Sequence, residues 1–353
     1  MITDIFARRY ANVQLREQYY EEDRRLMNQV ASIIMNPLWD GQQGDQVSEN
    51  SEANLKAIHD VLALELGREY LSDRWWFRTY KFNGNENTQS YAYPYSAICK
   101  NFLTKIPDDL SKGDGWIKDR LSLVELAFTR RAQQIAAANR DLPATIAKAQ
   151  LAEKVVPQRI TMRVPGSRVD GLRAINARIN EAFDELVRDL NGRLRLALYK
   201  LTYHNGLIQL YEDETVNAEV AKPFWALVSS APWQNVDLQM KEAIDRRDNG
   251  DRMAAFHAVC ALESCIKIVS DTKGWTKGTE KGAANYIGNL VSQKNGRFLD
   301  VWEGELLTRM FSDVRNPFAH GPGQSPMPSL SPEQTNWTIE TAMTWIKNIV
   351  RRA

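Results

Sequence analysis

The spacing of hydrophobic and polar residues predicts a mostly helical chain. Apolar residues recur three and four positions apart, as on one face of a helix, over residues 15–34, 55–71, 116–139 and 169–190. Asn36-Pro37 closes the first of these helices and Pro143 interrupts the chain after the third, because proline lacks the backbone N–H that a helix needs. The N-terminal two-thirds is therefore predicted to be a set of amphipathic helices.

Two stretches favour short strands instead. Ile160, Met162 and Val164 alternate with polar residues, which predicts a strand within residues 158–164. Asn205-Gly206 lies between β-prone residues at 194–203 and 207–211, and this dipeptide favours a tight hairpin turn. We expect a small β element over residues 194–212, docked on the helices.

The last third of the chain reads as a helical bundle. Periodic segments cover residues 236–247, 254–270, 280–291 and 298–314, and Trp302, Leu306 and Met310 lie four apart in the last of these. Ser331-Pro332-Glu333-Gln334 then opens a further helix with a capping box and a proline in its first turn. Asp251 is placed as the N-terminal cap of 254–270. The fold class is mostly α, in two domains: 1–230, mainly helical with the short strands, and 231–353, a helical bundle.

Composition narrows the class of protein. The 353 residues are 43% hydrophobic and 25% charged, as in an ordinary globular protein, and the formal net charge is only +1. Any affinity for a polyanion must therefore come from a local basic groove. Cys99, Cys260 and Cys265 form no C-x-x-C pair, which argues against a zinc site or a disulfide framework. We expect no metal, no cofactor, no membrane segment, and a cytoplasmic location.

The candidate chemistry lies in Arg315-Asn316-Pro317-Phe318-Ala319-His320. Arginine grips a phosphate through its planar fork, and histidine takes and returns a proton near neutral pH. Residues five apart on a regular helix point about 140° away from each other. Pro317 predicts that the helix ends or kinks near Arg315, which would bring Arg315 and His320 together. The alternative is structural: Arg315 as a solvated cation at a helix end and His320 as a helix cap.

Several short motifs, taken together, resemble those of a known protein family. They are residues 261–264 (Ala-Leu-Glu-Ser), 278–283 (Gly-Thr-Glu-Lys-Gly-Ala) and 315–323 in the bundle, with 1–10 and 204–210 nearer the N-terminus. Together they resemble abortive-infection proteins of the AbiJ type, and a bundle with Arg-Asn-x3-His before its last helix resembles the HEPN ribonuclease domain. Residues 1–230 would then be an AbiJ-like N-terminal domain with a sensory or regulatory role.

The resemblance implies a metal-independent endoribonuclease of bacterial anti-phage defence, acting as a homodimer through its C-terminal bundles. His320 would be a general base or acid at the ribose 2′-hydroxyl, Arg315 would bind the scissile phosphate, and Asn316 would contact the phosphate or orient the histidine. The partners would be an RNA substrate and a phage-derived trigger or a neutralising protein. The alternative within the same superfamily is a non-catalytic module for dimerisation or for nucleotide or RNA binding.

Other residues are secondary candidates. Glu263 and His257 share the predicted helix 254–270 and could support the site, although Glu263 also suits an i,i+4 pair with Lys267 and His257 a structural role. Candidates for gripping an RNA backbone, which solvated loop charges explain equally, are Lys273, Lys277, Lys281 and Arg297.

Two aromatic clusters, Trp75-Trp76-Phe77 and Tyr91-Ala92-Tyr93-Pro94-Tyr95, admit base stacking. Packing in a core or a loop fits them better, because no glycine-aromatic nucleic-acid motif surrounds them.

Overall fold

A computed structural model describes residues 4–39, 42–43, 46–83, 85–155, 168–320, 323–324 and 326–353. Tertiary contacts divide the chain into two compact units, Met1–Ile208 and Gln209–Ala353. Helices dominate both units, which confirms the mostly α fold class. The strand predicted within 158–164 lies outside the described residues.

Over the residues that the structure describes, the first unit consists of helices and two-stranded sheets, the last of which extends past the unit boundary at Ile208. Its elements are α1 (Phe6–Arg9), α2 (Glu21–Met35), β1 (Gln42–Gln43), β2 (Gln46–Val47), α3 (Glu49–Glu65), β3 (Trp75–Phe82), β4 (Asn85–Ala92), α4 (Tyr95–Thr104), α5 (Gly113–Val155), α6 (Arg168–Leu196), β5 (Leu201–His204) and β6 (Leu207–Leu210). Apolar side chains of α2, α3, α4 and α5 form its core, with Leu26, Ile34, Leu55, Phe102 and Phe128 almost fully buried.

The predicted helix ends shift for local reasons. The second helix begins at Glu21, where Asp23 accepts the backbone N–H of Tyr20 in a capping arrangement, rather than at residue 15. Helix α3 begins at Glu49 rather than at residue 55, because the Ser48 side chain caps it by accepting the N–H of Ser51. Capping side chains, more than the apolar stripe, therefore decide where these helices start.

Pro143 does not interrupt its helix, which is a correction to the sequence analysis. It is exposed inside α5, which continues to Val155. The neighbouring helix α6 supports this region: Asn176 and Asn180 each donate a side-chain hydrogen bond to the Asn139 side-chain oxygen, at 2.8 and 3.0 Å. Packing against a second helix offsets the backbone hydrogen bond that proline removes.

The predicted hairpin at Asn205-Gly206 is confirmed in part of its range. Asn205 and Gly206 have φ angles of 42° and 94°, as a tight hairpin turn requires, and they join β5 to β6. Residues 194–196, predicted as strand, instead complete α6.

The second unit is a helical bundle. After β6 it contains α7 (Glu214–Val216), α8 (Lys222–Val228), α9 (Gln234–Asp248), α10 (Ala254–Thr272), α11 (Ala283–Val291), α12 (Val301–Arg309), α13 (Asn316–Ala319) and α14 (Pro332–Arg352). Helix α10 carries a fully apolar stripe, including Val259, Leu262 and Ile266, into the centre of the core. The capping box predicted at Ser331 and Gln334 is present at the start of α14.

The domain boundary predicted at residue 230 stays a prediction. Phe224, Trp225 and Val228, which lie before it in α8, are buried in the core of the second unit. The contact division itself falls within β6.

Candidate functional site

The Arg-Asn-x3-His segment follows a π-helical turn. After α12, residues Met310–Arg315 form this turn, in which the Asn316 N–H donates to the Phe311 carbonyl oxygen five residues earlier. The short helix α13 follows, with Pro317 in its first turn. The helix does not end at Arg315, because helical backbone continues to Ala319. The alternative of a kink near Arg315 stays a prediction. A widened turn accommodates a residue that has no N–H, and such turns are frequent at functional sites.

Only part of the predicted apolar stripe on this segment is buried. Met310 is buried, but Trp302 and Leu306 are 60% and 48% exposed. The buried face is formed by Leu307 and Phe311 with Met310, spaced three and four apart. Trp302 and Leu306 thus form an exposed apolar stripe on α12, more than two helical turns before the Arg-His segment.

His320 leaves the helix in extended backbone. Its φ and ψ angles are −123° and 146°, and its side chain is exposed. No hydrogen bond or ion pair joins that side chain to another residue that the structure describes. Gly321 and Pro322, which follow it, lie outside the described residues. The imidazole is therefore open to solvent and to a ligand.

Arg315 is held by a carboxylate of helix α10. Its Nη2 lies 3.1 Å from Oε2 of Glu263, and its Nη1 is 3.4 Å from the Asn316 side-chain oxygen. The side chain of Glu263 is 10% exposed and that of Arg315 is 30% exposed. The structure thus brings together Glu263, Arg315 and Asn316, a grouping that the sequence only partly predicts.

A second cation shares the same carboxylate. Lys267 Nζ lies 2.9 Å from Oε1 of Glu263, which is the i,i+4 pair predicted from sequence, and it also faces the Tyr286 ring at 5.6 Å. The two cations and the one carboxylate together carry a net charge of +1. Lys267 was not a predicted site residue, although its spacing from Glu263 already placed it on that face of the helix.

The Cys260 thiol lies on the same face of α10. Burial raises its pKa, and the charge and hydrogen bond of Arg315 offset that increase in part. The thiol is therefore protonated near neutral pH. Among the described residues all three cysteines are free thiols.

His257 points to another helix. Its Nδ1 is 2.9 Å from Oε1 of Gln239 on α9, and its ring makes an edge contact with Phe256. Burial lowers its pKa, and the charge of Arg246 lowers it further. This half-buried histidine is neutral near pH 7 and ties α10 to α9, which fits the structural role weighed from its sequence.

The four predicted RNA-binding cations are all exposed. Lys273 Nζ donates to the Ala353 carbonyl oxygen at 2.7 Å, and Arg297 has a positive φ of 48° in the loop before α12. Lys277 and Lys281 use their backbone N–H groups to bind the side chains of Glu280 and Asn285. No contact links these four side chains to Arg315 within the described part of the chain, so their RNA-binding role stays a prediction.

Comparison with known proteins identifies the N-terminal part of the chain. The family model of AbiJ N-terminal domain 4 matches residues 4–226, more than half of the chain. The chain belongs to the AbiJ family. Neither a curated protein nor a solved structure gives a significant match.

Membership in the AbiJ family suggests a role in abortive-infection defence. The matched region ends four residues before the predicted boundary at residue 230 and does not include the Arg-His segment. In the part of this AbiJ-type chain that the structure describes, no helix is long and apolar enough to cross a membrane. Within the same part, no group of three or more histidine, cysteine, aspartate or glutamate side chains is arranged for a metal ion.

The largest difference from the sequence analysis lies far from this segment along the chain. Strands β3 and β4 pair over eight residues each, from Trp75 opposite Ala92 to Phe82 opposite Asn85, and fifteen of the sixteen positions are exposed. The interpretation of Trp75, Trp76 and Phe77 as core or loop residues was wrong. Asn83-Gly84 directly after the β-prone run 75–82 is a hairpin signal in the sequence, although residues 85–92 are mostly polar and not β-prone.

Proposed function

We propose that this AbiJ-type protein is a metal-independent endoribonuclease whose site is built around Arg315 and His320. One observation carries the proposal: the exposed imidazole of His320 follows a π-helical turn whose Arg315 shares the carboxylate of Glu263 with Lys267. The imidazole of His320, which can transfer a proton, thus follows five residues after Arg315. Arg315, Lys267 and Glu263 together carry a net positive charge, which favours binding of a phosphate, and the imidazole can accept a proton from a ribose hydroxyl.

The proposed reaction needs no outside reagent. His320 takes the proton of the ribose 2′-hydroxyl, the 2′-oxygen attacks the adjacent phosphorus, and the P–O5′ bond breaks. A proton returns to the leaving 5′-oxygen, so the products are a 2′,3′-cyclic phosphate and a 5′-hydroxyl. Arg315 stabilises the charge that grows on the phosphate oxygens in the transition state. DNA lacks the attacking hydroxyl and is not cleaved.

Glu263 positions Arg315 in this proposal. Its carboxylate is buried and receives Nη2 of the guanidinium, while Nη1 faces the side chain of Asn316. The guanidinium is held in one orientation, so less conformational entropy is lost when a phosphate binds. Asn316 acts through Arg315, rather than through the histidine.

A homodimer is part of the proposal. Trp302 and Leu306 form the exposed stripe on α12, whose chain continues directly through the π turn into the Arg-His segment. An apolar stripe of this kind is typical of a surface that another molecule covers. A second copy bound there would place two Arg-His segments near one interface, so that one imidazole could act as base and the other as acid.

A second candidate function is a non-catalytic module of the same superfamily, for dimerisation or for nucleotide or RNA binding. The ion pair between Arg315 and Glu263 favours it, because a scaffold ties up its arginine in a salt bridge. This candidate needs no reactive histidine, so the two functions differ at His320.

The deciding experiment is a cleavage assay with EDTA present, on total RNA and on a DNA of matched sequence. Wild-type protein should cleave only RNA and leave cyclic-phosphate ends, and His320→Ala should lose cleavage while keeping its melting temperature. His257→Gln is the control, since that histidine binds Gln239. Arg315→Lys should also lose cleavage, because a point charge does not replace a planar fork. RNA that stays bound but uncut by the wild type would favour the second candidate.

The dimer is tested separately by light scattering after size exclusion. Trp302→Glu should convert a dimer into a monomer, because it places a charge in the apolar stripe. Leu238→Glu changes an apolar residue of α9 that is 62% exposed and should leave the dimer intact. A wild-type monomer, or equal behaviour of both variants, would contradict the proposed interface.

A further inference from the structure

The β3–β4 hairpin has two chemically different faces. Because cross-strand partners share a face, one face carries Trp76, Arg78, Tyr80 and Phe82 from β3. The β4 partners on that face are Tyr91, Gln89, Asn87 and Asn85. We call these eight residues the amide-aromatic face. It contains four aromatic rings, one arginine, three carboxamides, no carboxylate and no aliphatic side chain.

The opposite face differs in each of these respects. It carries Trp75, Phe77, Thr79 and Lys81 opposite Ala92, Ser90, Thr88 and Glu86. Lys81 lies across from Glu86, so the charges of this face cancel, and the two threonine hydroxyls are 3.2 Å apart. A net positive charge therefore remains on the amide-aromatic face alone.

The rings of the amide-aromatic face are open to a ligand. Trp76 and Tyr91 stack on each other with centroids 4.5 Å apart and planes 18° from parallel. Tyr80 and Phe82 are 42% and 64% exposed, and both follow that pair along the strand. Alternate residues of a strand are about 7 Å apart, so Tyr80 and Phe82 offer successive platforms with Arg78 beside them.

Hydrogen-bonding groups lie next to these platforms. The Gln89 side-chain oxygen accepts the Tyr91 hydroxyl at 2.6 Å, which fixes the carboxamide with its NH₂ group pointing away from the tyrosine. The Asn87 amide donates to the Asn85 backbone oxygen at 3.2 Å. Carboxamides donate and accept at once, as the edges of unpaired bases do.

We propose that the amide-aromatic face binds single-stranded RNA. Bases would stack on Tyr80 and Phe82, Arg78 would contact the phosphate backbone, and Gln89 and Asn87 would meet base edges. Stacking on exposed rings with a nearby cation is the general means of holding single strands without strict sequence preference. The absence of carboxylates on this face matches a polyanion. The choice of RNA over DNA rests on the proposed ribonuclease function.

The test measures binding to the full chain, independently of cleavage. Fluorescence anisotropy with labelled oligouridine is recorded in EDTA for the His320→Ala protein and for hairpin variants made in it. Tyr80→Ala/Phe82→Ala keeps the Trp76–Tyr91 stack and should weaken binding by about tenfold or more. Trp75→Ala/Phe77→Ala removes two rings from the opposite face and should bind as its parent does.

Further measurements test the role of Arg78, the preference for RNA over DNA, and the folding of the variants. Arg78→Gln should weaken binding and reduce its salt dependence by about one phosphate contact. Oligodeoxyuridine of the same length differs mainly in the 2′-hydroxyl and should bind more weakly. Far-UV circular dichroism and the thermal unfolding midpoint should show that both ring-pair variants are folded.

Each outcome of these binding measurements supports or overturns the assignment of RNA binding to the amide-aromatic face. No RNA binding by the parent, or equal losses in both ring-pair variants, would overturn the assignment, and a protein ligand would then be the remaining occupant. Equal binding of both oligonucleotides would overturn the choice of RNA. Because binding is read in a His320→Ala background, a failure of the proposed cleavage leaves this measurement unaffected.

Discussion

Both units of the molecule contain arginine–glutamate ion pairs, and one pair from each unit shows how differently such pairs are built. In the first unit, Arg9 meets Glu125 through both arms of its fork, at 3.0 and 2.6 Å, and both side chains are about 5% exposed. In the second unit, Arg315 meets Glu263 through one nitrogen at 3.1 Å and is 30% exposed. The buried pair with two contacts suits a structural role, whereas the partly exposed arginine with one contact to its carboxylate fits the proposed binding of a phosphate.

The residues around the two pairs also differ between the units. Arg9 also donates to the Ile208 carbonyl oxygen, and Glu125 accepts the Ile208 N–H, so this pair joins α1, α5 and β6 within one polar network. Asp23, fully buried, accepts from Arg16 and from the Tyr199 hydroxyl, and burial together with Asp23 raises the pKa of Tyr199. In the second unit, by contrast, most of the Arg-His segment is exposed, and its residues are not part of the buried apolar core.

The largest expected effect is in the first unit. Arg9→Ala should lower the free energy of unfolding by about 3–5 kcal/mol, because Glu125 is left as a buried charge that has lost its main partner. Arg315→Ala should lower it by about 1 kcal/mol, because Glu263 keeps Lys267. Urea unfolding of both variants measures the difference. Equal losses would show that the two pairs have the same role, and Arg9→Met with Glu125→Leu is the control that removes both charges.

The second unit should respond to volume more than to charge. A Cβ atom on Gly304 would lie 2.6 Å from Cγ1 of Val291, so Gly304→Ala forces α12 away from α11 and should cost about 1–3 kcal/mol. Gly288 is exposed in α11, and a Cβ atom there would meet no other atom within 4 Å, so Gly288→Ala should stabilise by about 0.5–1 kcal/mol. Thermal unfolding compares the two, and a tolerated Gly304→Ala would mean that this helix contact is loose.

A smaller effect on stability and a larger one on activity are expected at Glu263. Glu263→Gln keeps the shape and one acceptor, so the unfolding free energy should fall by about 1 kcal/mol or less. Cleavage should slow by on the order of tenfold to a hundredfold, because Arg315 loses its fixed position. Parallel cleavage and unfolding measurements separate these effects. Unchanged cleavage with lowered stability would make this pair structural, like that of Arg9.

The smallest expected effect is a dependence of stability on pH. Burial holds the pKa of His257 below its ordinary 6.5, with Arg246 adding to the decrease and Glu242 and Asp251 opposing it. The unfolded state therefore binds the proton more readily, and the contribution of His257 to stability is complete above about pH 6.5. It is lost as the pH falls through the folded-state pKa. The melting temperature should decrease more on acidification in the wild type than in His257→Gln, and parallel curves would contradict this assignment.

Local sequence signals account for much of the fold. The capping box at Ser331, the Asn205-Gly206 turn and the apolar stripe of α10 each depend on residues within a few positions of one another. Local signals were misleading at Pro143 and Pro317, because helical backbone continues through both prolines. Whether a helix continues past a proline depends on the helix packed beside it and on whether a turn widens. The residues next to the proline in sequence determine neither.

The candidate site divides in the same way. The sequence alone determined which residues bring the chemistry: a guanidinium and an imidazole five residues apart, with a carboxylate and a lysine four apart on another helix. Only the tertiary structure decided that Glu263 holds Arg315, that His257 turns to Gln239, and that the β3–β4 aromatics face solvent. Side-chain identity is a property of each position, whereas contact and burial depend on how segments distant in sequence pack.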